Sequence, residues 1–345
     1  MRGKLKFILL ALLSLLPLSL HAAGQEEGGL DMQSYLFGHV GDSYEWHITK
    51  VGDTDITIPL PCIVIDDGLH VFSSKHMAEH GYTLNADGKL VNAATMERPL
   101  DISITKNVLA LMINAALLLG IILGCARWYR KHDVLKEKPR GLVALMEPVI
   151  MFVESDLIRD VIGPGYKKYA PYLMTAFFFI LVNNLMGIFP FFPGGANTTG
   201  NIAVTLVLAV FTFIMVNLFG TRNYFKEIFW PDVPVFLKAI PLMPIIEIIG
   251  VFTKPFSLMI RLFANTLGGH IMILSMVGLI FISASMGAVV NGSFTVVSLL
   301  LGVFLDCLEI LVAFIQAYVF TLLSAVFISL AHPADEHAAE TVKTE

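Results

Sequence analysis

The sequence predicts an all-α polytopic membrane protein with a small β-rich segment near its N-terminus, and three observations carry that prediction. The chain is 56% hydrophobic and only 15% charged over 345 residues, with a mean hydropathy of +0.73, against about 25% charged residues in ordinary soluble chains. Apolar runs at roughly 107–125, 172–192, 202–220, 241–284 and 294–330 are each long enough to cross a hydrocarbon core of about 30 Å. The bases collect in alternate connections. Arg127, Arg130, Lys131, Lys136, Lys138 and Arg140 follow the first run, and Arg222, Lys226 and Lys238 follow the third. Such loops face the cytoplasm.

From the N-terminus, MRGKLKFILLALLSLLPLSLHAAG has a basic start (Arg2, Lys4, Lys6), a short apolar core and a small-residue exit. This fits a secretory signal over 1–23, cleaved near Ala23. A signal-anchor is the alternative, and Pro17 and the shortness of the core weigh against it. Residues 24–105 are polar and contain alternating runs, SYEWHITKV, ITIPLPCIVI and HVFSS, punctuated by DDG and ADG. They read as a β-rich segment on the exported, periplasmic side. Its histidines, His39, His47, His70, His76 and His80, match no compact ligand spacing, so no metal is expected. Of Cys62, Cys125 and Cys307 only Cys62 falls in this segment, which leaves no internal disulfide framework.

The remainder, 106–331, forms the membrane domain, and 332–345 a cytoplasmic tail. Between its first two spans, GLVALMEPVIMFVESDLIRDVIG is too short an apolar block to cross and is interrupted by Glu147, Pro148, Glu154 and Asp156. It reads as an amphipathic helix along the cytoplasmic interface. The last two runs are too long for an upright crossing, so they must tilt steeply or break. Pro241, Pro244, Pro255 and the Gly268–Gly269 pair offer the breaks.

Ionisable groups inside such runs are costly and mark function. The fourth run holds Glu247, Lys254, Arg261, Asn265 and His270, and the fifth holds Asp306, Glu309 and Gln316. Arg261 is the most telling, because a guanidinium cannot shed its proton. It must meet a carboxylate, water or a partner, or else snorkel to the headgroups. Helical rise puts Glu247 about 21 Å to its cytoplasmic side and His270 about 13 Å to its exported side. On a helical wheel Glu247 and Asn265 lie within about 40° of Arg261, whereas His270 lies about 180° away. If Gln316 is level with Arg261, Glu309 lies about 10 Å nearer the exported side, near the depth of His270. Imidazole and carboxylate at one depth can exchange protons near neutral pH, or can simply fix helix packing. Asp306, one turn outward, extends the same path. Lys254 is expected to snorkel, and Asn265 and Gln316 could equally be interhelical glue.

Three stretches, PIIEIIGVFTKPFSLMIRLFANTLGGHIMI, EILVAFIQAYVFTLLSAVFISLA and YKKYAPYLMTAFFFILVNNLMGIFP followed by TGNIAVTLVLA, resemble the subunit a family of the F-type ATP synthases over about 140–331. The resemblance implies a stator that passes ions across a rotating c-subunit ring, held by peripheral-stalk b subunits in a bacterial inner membrane. It implies no cofactor, no nucleic acid and no catalysis by the chain alone. Arg261 would be the essential ring-facing charge. Asn265 and Gln316 match the polar positions beside it, His270 and Glu309 a coupled pair that some members carry in the opposite order, and Glu247 and Ser257 the cytoplasmic half-channel. The chain departs from some bacterial members at Gly187, where they carry an acid. A titratable His270 favours protons as the ion. The competing class is a self-contained proton-coupled secondary transporter with Arg261 gripping an anion, against which the lack of internal repeats weighs. Against an intramembrane protease, the chain has neither an HExxH nor a GxSxG motif.

Overall fold

The computed structural model describes residues 41–51, 54–85, 88–133, 137–189, 193–229 and 242–332. The expected signal, Ala23, His39, Lys238, Pro241 and the tail beyond His332 lie outside the described residues. By contact, the chain divides into two compact units. One gathers the residues up to Asn114, Asn183–Asn201 and Thr266–Leu311; the other gathers Ala115–Val182, Ile202–Asn265 and the residues from Val312 onward.

In the first unit, the runs of alternating residues form seven short strands: β1 (Glu45–Val51), β2 (Thr54–Pro59), β3 (Pro61–Ile65), β4 (Leu69–Ser73), β5 (Tyr82–Leu84), β6 (Leu90–Asn92) and β7 (Leu100–Asp101). They pair antiparallel as β1–β2, β4–β3–β7 and β5–β6. The β3–β4 hairpin turns on Asp66, Asp67 and Gly68, with Asp67 at φ +49°, a left-handed conformation that aspartate tolerates. Alternation sends Cys62, Val64 and Phe72 inward to join Tyr44, Met77, Tyr82 and Leu90. The Phe72 ring stacks on both His80 and Tyr82, at 4.8 and 5.3 Å.

Tyr44 ties this core together. Its hydroxyl donates to the Asp101 carboxylate and accepts from the Leu90 amide at 3.2 Å. Burial, then the bond to Asp101, raises the phenol's pKa far above the ordinary value, and burial pushes the Cys62 thiol up to about 11. Burial also pushes Asp101 upward, but hydrogen bonds from Ser103 and Tyr44 and the charge of Arg98 outweigh it, leaving the carboxyl below its usual range. A depressed carboxyl contributes stability above its unfolded pKa and loses it as pH falls through the folded value. Tyr44→Phe should therefore destabilise this segment by about 1–3 kcal/mol at neutral pH, and by less in acid. Hydrogen exchange of the Leu90 amide against pH measures both effects.

Seven principal helices follow: α1 (Lys106–Lys131), α2 (Leu142–Phe152), α3 (Ala170–Ile188), α4 (Ile202–Leu218), α5 (Arg222–Phe229), α6 (Leu242–Ser283) and α7 (Ala288–Ala331). Four of them, α1, α3, α6 and α7, are long and apolar enough to cross a membrane; α4 is apolar but has 17 residues, or about 25 Å at the helical rise. The expected third span, 202–220, is therefore shorter than the hydrocarbon core. The expected breaks do not occur either, because α6 runs unbroken through Pro244, Pro255, Gly268 and Gly269. A proline forfeits one ladder bond, which neighbouring groups can compensate inside a membrane protein.

The last connection is also shorter than the sequence suggests. A 3₁₀ turn, Ala284–Met286, and Gly287 complete it, and α7 begins at Ala288 rather than near 294. The polar residues there bond within the helices. Ser293 and Thr295 donate to the carbonyls of Val289 and Asn291, and Ser283 donates to the Asn291 side chain at 2.9 Å. Hydroxyls that back-bond four residues up a helix are compatible with it, so their polarity gives a false loop signal.

Within the second unit, Leu173, Phe177 and Ile180 of α3 are completely buried at helical spacing, with Leu258 and Leu262 of α6 and Ala317, Phe320 and Ile328 of α7. Small residues at Ala317, Thr321, Ser324 and Ala325 are fully buried on α7, where they let backbones approach closely. A hydroxyl ladder crosses three helices: Tyr172 to Thr212 at 2.7 Å and Thr212 to Ser324 at 3.4 Å. The Thr221 amide and hydroxyl both bond the Ala331 carbonyl at 3.1 Å, satisfying an end that a helix otherwise leaves open. The segment read as interfacial continues from α2 into a π-helical stretch, Val153–Arg159. There Val153, Leu157 and Ile158 join the buried core, so its far end is packed rather than laid on a surface.

Candidate functional site

Two groups of the polar residues singled out above stand in different units. In the second unit, Thr253, Ser257, Arg261 and Asn265 recur every four residues along α6. Each step advances about 40° around the helix, so they form one stripe. Thr253, Ser257 and Asn265 are exposed and Arg261 is half-buried, while Leu258 and Leu262, about 60° and 100° around the helix from Arg261, are buried. Among the described residues no carboxylate lies within ion-pair distance of the Arg261 guanidinium. Gln316 is buried, 3% exposed, and so is not part of the exposed stripe. Lys254 does not simply reach outward, because its ammonium sits 5.7 Å from the Phe327 ring centroid in a cation–π contact. Glu247 is exposed, and its charge adds to burial in raising the pKa of Tyr224 on α5. Tyr224 in turn donates to the Asn217 side chain at 3.4 Å. Neither residue carries a motif that sequence reasoning could use.

In the first unit, His270 Nε2 and Glu309 Oε1 lie 4.0 Å apart, with both side chains largely buried. Glu309 Oε2 is buried without a hydrogen-bond partner among the described residues. Asp306 lies three residues earlier on the same helix, half-buried. Two glycines make room for the pair. A Cβ at Gly269 would stand 2.9 Å from Glu309 Oε1, and one at Gly187 would stand 3.2 Å from His270 Nε2 and 3.6 Å from the Ala196 carbonyl. Gly269 on α6 thus admits the carboxylate, and Gly187 on α3 admits the imidazole.

Buried amides and hydroxyls fix the loop that faces Gly187. Asn114 of α1 donates to the Asn183 side-chain oxygen at 2.9 Å, which also accepts from Thr198 at 3.1 Å; Thr199 donates to the Asn184 side-chain oxygen at 2.6 Å. Asn114 Oδ1 and Asn197 Nδ2 are buried without partners among the described residues. Unsatisfied buried polar atoms are expected where water or a transported ion enters. The VNN and NTTG sequences carry these residues, but their role as clamps was not legible without the pairing. What the arrangement can do chemically is hold and hand on a proton, since an imidazole and a carboxylate share one buried space.

The family described as ATP synthase A chain matches residues 108–329, and a domain of unknown function (DUF8433) matches residues 35–105. The chain is 42% identical to ATP synthase subunit a of Chloroherpeton thalassium over 245 residues, covering 70% of each chain. It is 40% identical over 263 residues to the subunit a of Chlorobium phaeobacteroides strain DSM 266, covering 74% of this chain and 73% of the relative. With that of Anaeromyxobacter dehalogenans it shares 39% over 247 residues, or 69% of this chain and 61% of the relative. The matched region spans α1 to α7 and contains the arginine stripe, the His–Glu pair and both glycines that accommodate it, so the chain belongs to the ATP synthase subunit a family of multi-pass membrane proteins.

Proposed function

We propose that this chain is the ion-translocating stator subunit of an F-type ATP synthase, which couples proton flow to rotation of a c-subunit ring without being catalytic alone. The observation that carries the reading is the buried His270–Glu309 pair, 4.0 Å apart with one carboxylate oxygen unpartnered, in a chain of this family. Five membrane crossings, with the short α4 among them, a periplasmic N-terminal segment and a cytoplasmic C-terminus agree with the placement of basic residues. The second-unit helix α2 serves the cytoplasmic interface, and α6 and α7 lie tilted against the ring.

Protons enter from the periplasmic side past Asp306, Glu309 and His270 and load a ring carboxylate. That carboxylate faces lipid only while neutral, because an ionised group there is costly. After nearly a full turn it discharges toward Glu247 and Ser257. Arg261, flanked by Asn265 and aided by Gln316, stabilises the ionised carboxylate as it passes and repels cations. The two half-channels are offset, since a continuous pore would dissipate about 2.3 kcal/mol per charge per 100 mV. Peripheral-stalk b subunits hold the stator against torque.

The test is purification followed by transport. A tagged chain should co-purify with a ring and stalk proteins and support ATP-driven proton pumping only in that complex. Transport by the purified chain alone would instead establish a self-contained transporter.

A further inference from the structure

The matched ATP synthase region begins at residue 108, yet the β-rich segment before it is bonded into the first turns of α1. The Ser43 carbonyl accepts from the Lys106 amide at 2.8 Å, and the Asp42 carboxylate accepts from the Asn107 amide at 3.0 Å. Two of the amides that open a helix are thereby satisfied from outside it. The Lys106 ammonium is held in turn by the Gly41 carbonyl at 2.9 Å and is only 9% exposed. Farther along, Trp46 of β1 packs with Ala110 of α1 and Ala196 of the loop after α3. The Ala196 carbonyl and the His270 imidazole border the same space over Gly187. A single residue, Ala196, thus links the Trp46 cluster to the His270 pocket.

From this geometry we infer that the β-rich segment is the outer wall of the proton inlet, with Trp46 a positioning residue for His270. The inference rests on the stator reading above. Asp306 of α7 stands one turn from Glu309, while Lys106 and Asp42 lie where the β-rich segment joins α1. Residues 183–201, from the end of α3 through the following loop, contain no ionisable side chain.

The experiment uses the complete ATP synthase in vesicles, with proton-driven ATP synthesis recorded against the pH of the compartment facing the β-rich segment, at fixed opposite pH and fixed potential. Trp46→Ala should lower the maximal rate several-fold and displace the profile, and Trp46→Phe should recover both. A Trp46→Ala enzyme with an unchanged rate and profile, or a loss that Trp46→Phe fails to recover, would overturn the inference. If those results came from an enzyme that still needs Arg261, the stator reading would stand; if Arg261→Ala synthesised ATP normally, that reading itself would fail.

Discussion

Arg261→Ala should abolish proton-driven ATP synthesis while leaving the complex assembled. The guanidinium belongs to a stripe with exposed Ser257 and Asn265, and the buried side chains of Leu258 and Leu262 hold the helix in the core. Truncation therefore removes charge without removing packing. Two losses follow in the proposed mechanism: an ionised ring carboxylate is no longer stabilised, and cations are no longer repelled from the path between half-channels. Synthesis driven by an imposed pH difference and potential should fall to background, while passive proton permeability of the membrane sector should rise. Arg261→Lys should recover little, because a compact ammonium cannot reproduce the planar, multiply donating guanidinium. Undiminished synthesis in the alanine variant would eliminate the proposed coupling role.

Glu309→Gln is expected to reduce synthesis on the order of 100-fold, the scale on which a positioned proton donor or acceptor acts. The substitution preserves shape, so the contact with Gly269 survives and only proton exchange is removed. His270→Gln should produce a loss of similar size, and the double variant should be little worse than either single one if the two groups form one relay. Additive losses would separate them. Rates measured with the ATP-hydrolysing sector removed would show whether the loss lies in proton passage itself.

Much of this could be read from residues alone, because bilayers impose simple arithmetic. Helical rise brought His270 and Glu309 to one depth, and the two side chains lie 4.0 Å apart; four-residue spacing aligned Ser257, Arg261 and Asn265. The alternating runs marked the β-rich segment, while its inner face, with Cys62, Val64 and Phe72, emerges only from the pairing of the strands. The misses share a cause: local polarity or backbone propensity was overridden by partners distant in sequence. Ser293 and Thr295 resemble loop residues until their hydroxyls find helix carbonyls, and Pro255 resembles a break within a helix that packing keeps whole. Nothing in the spacing of Trp46 or Gly187 points to His270, because each reaches that neighbourhood through the fold.

Gly187 and Gly269 carry a consequence for how such chains can diverge. Each leaves space fitted to one particular neighbour, the imidazole at 270 or the carboxylate at 309. Exchanging the two titratable groups would set a ring against Gly269 and a slimmer chain over Gly187, crowding one side and hollowing the other. The order of acid and base is thus a four-position trait, and a lineage could invert it only by passing through intermediates in which one of the two pockets is the wrong shape.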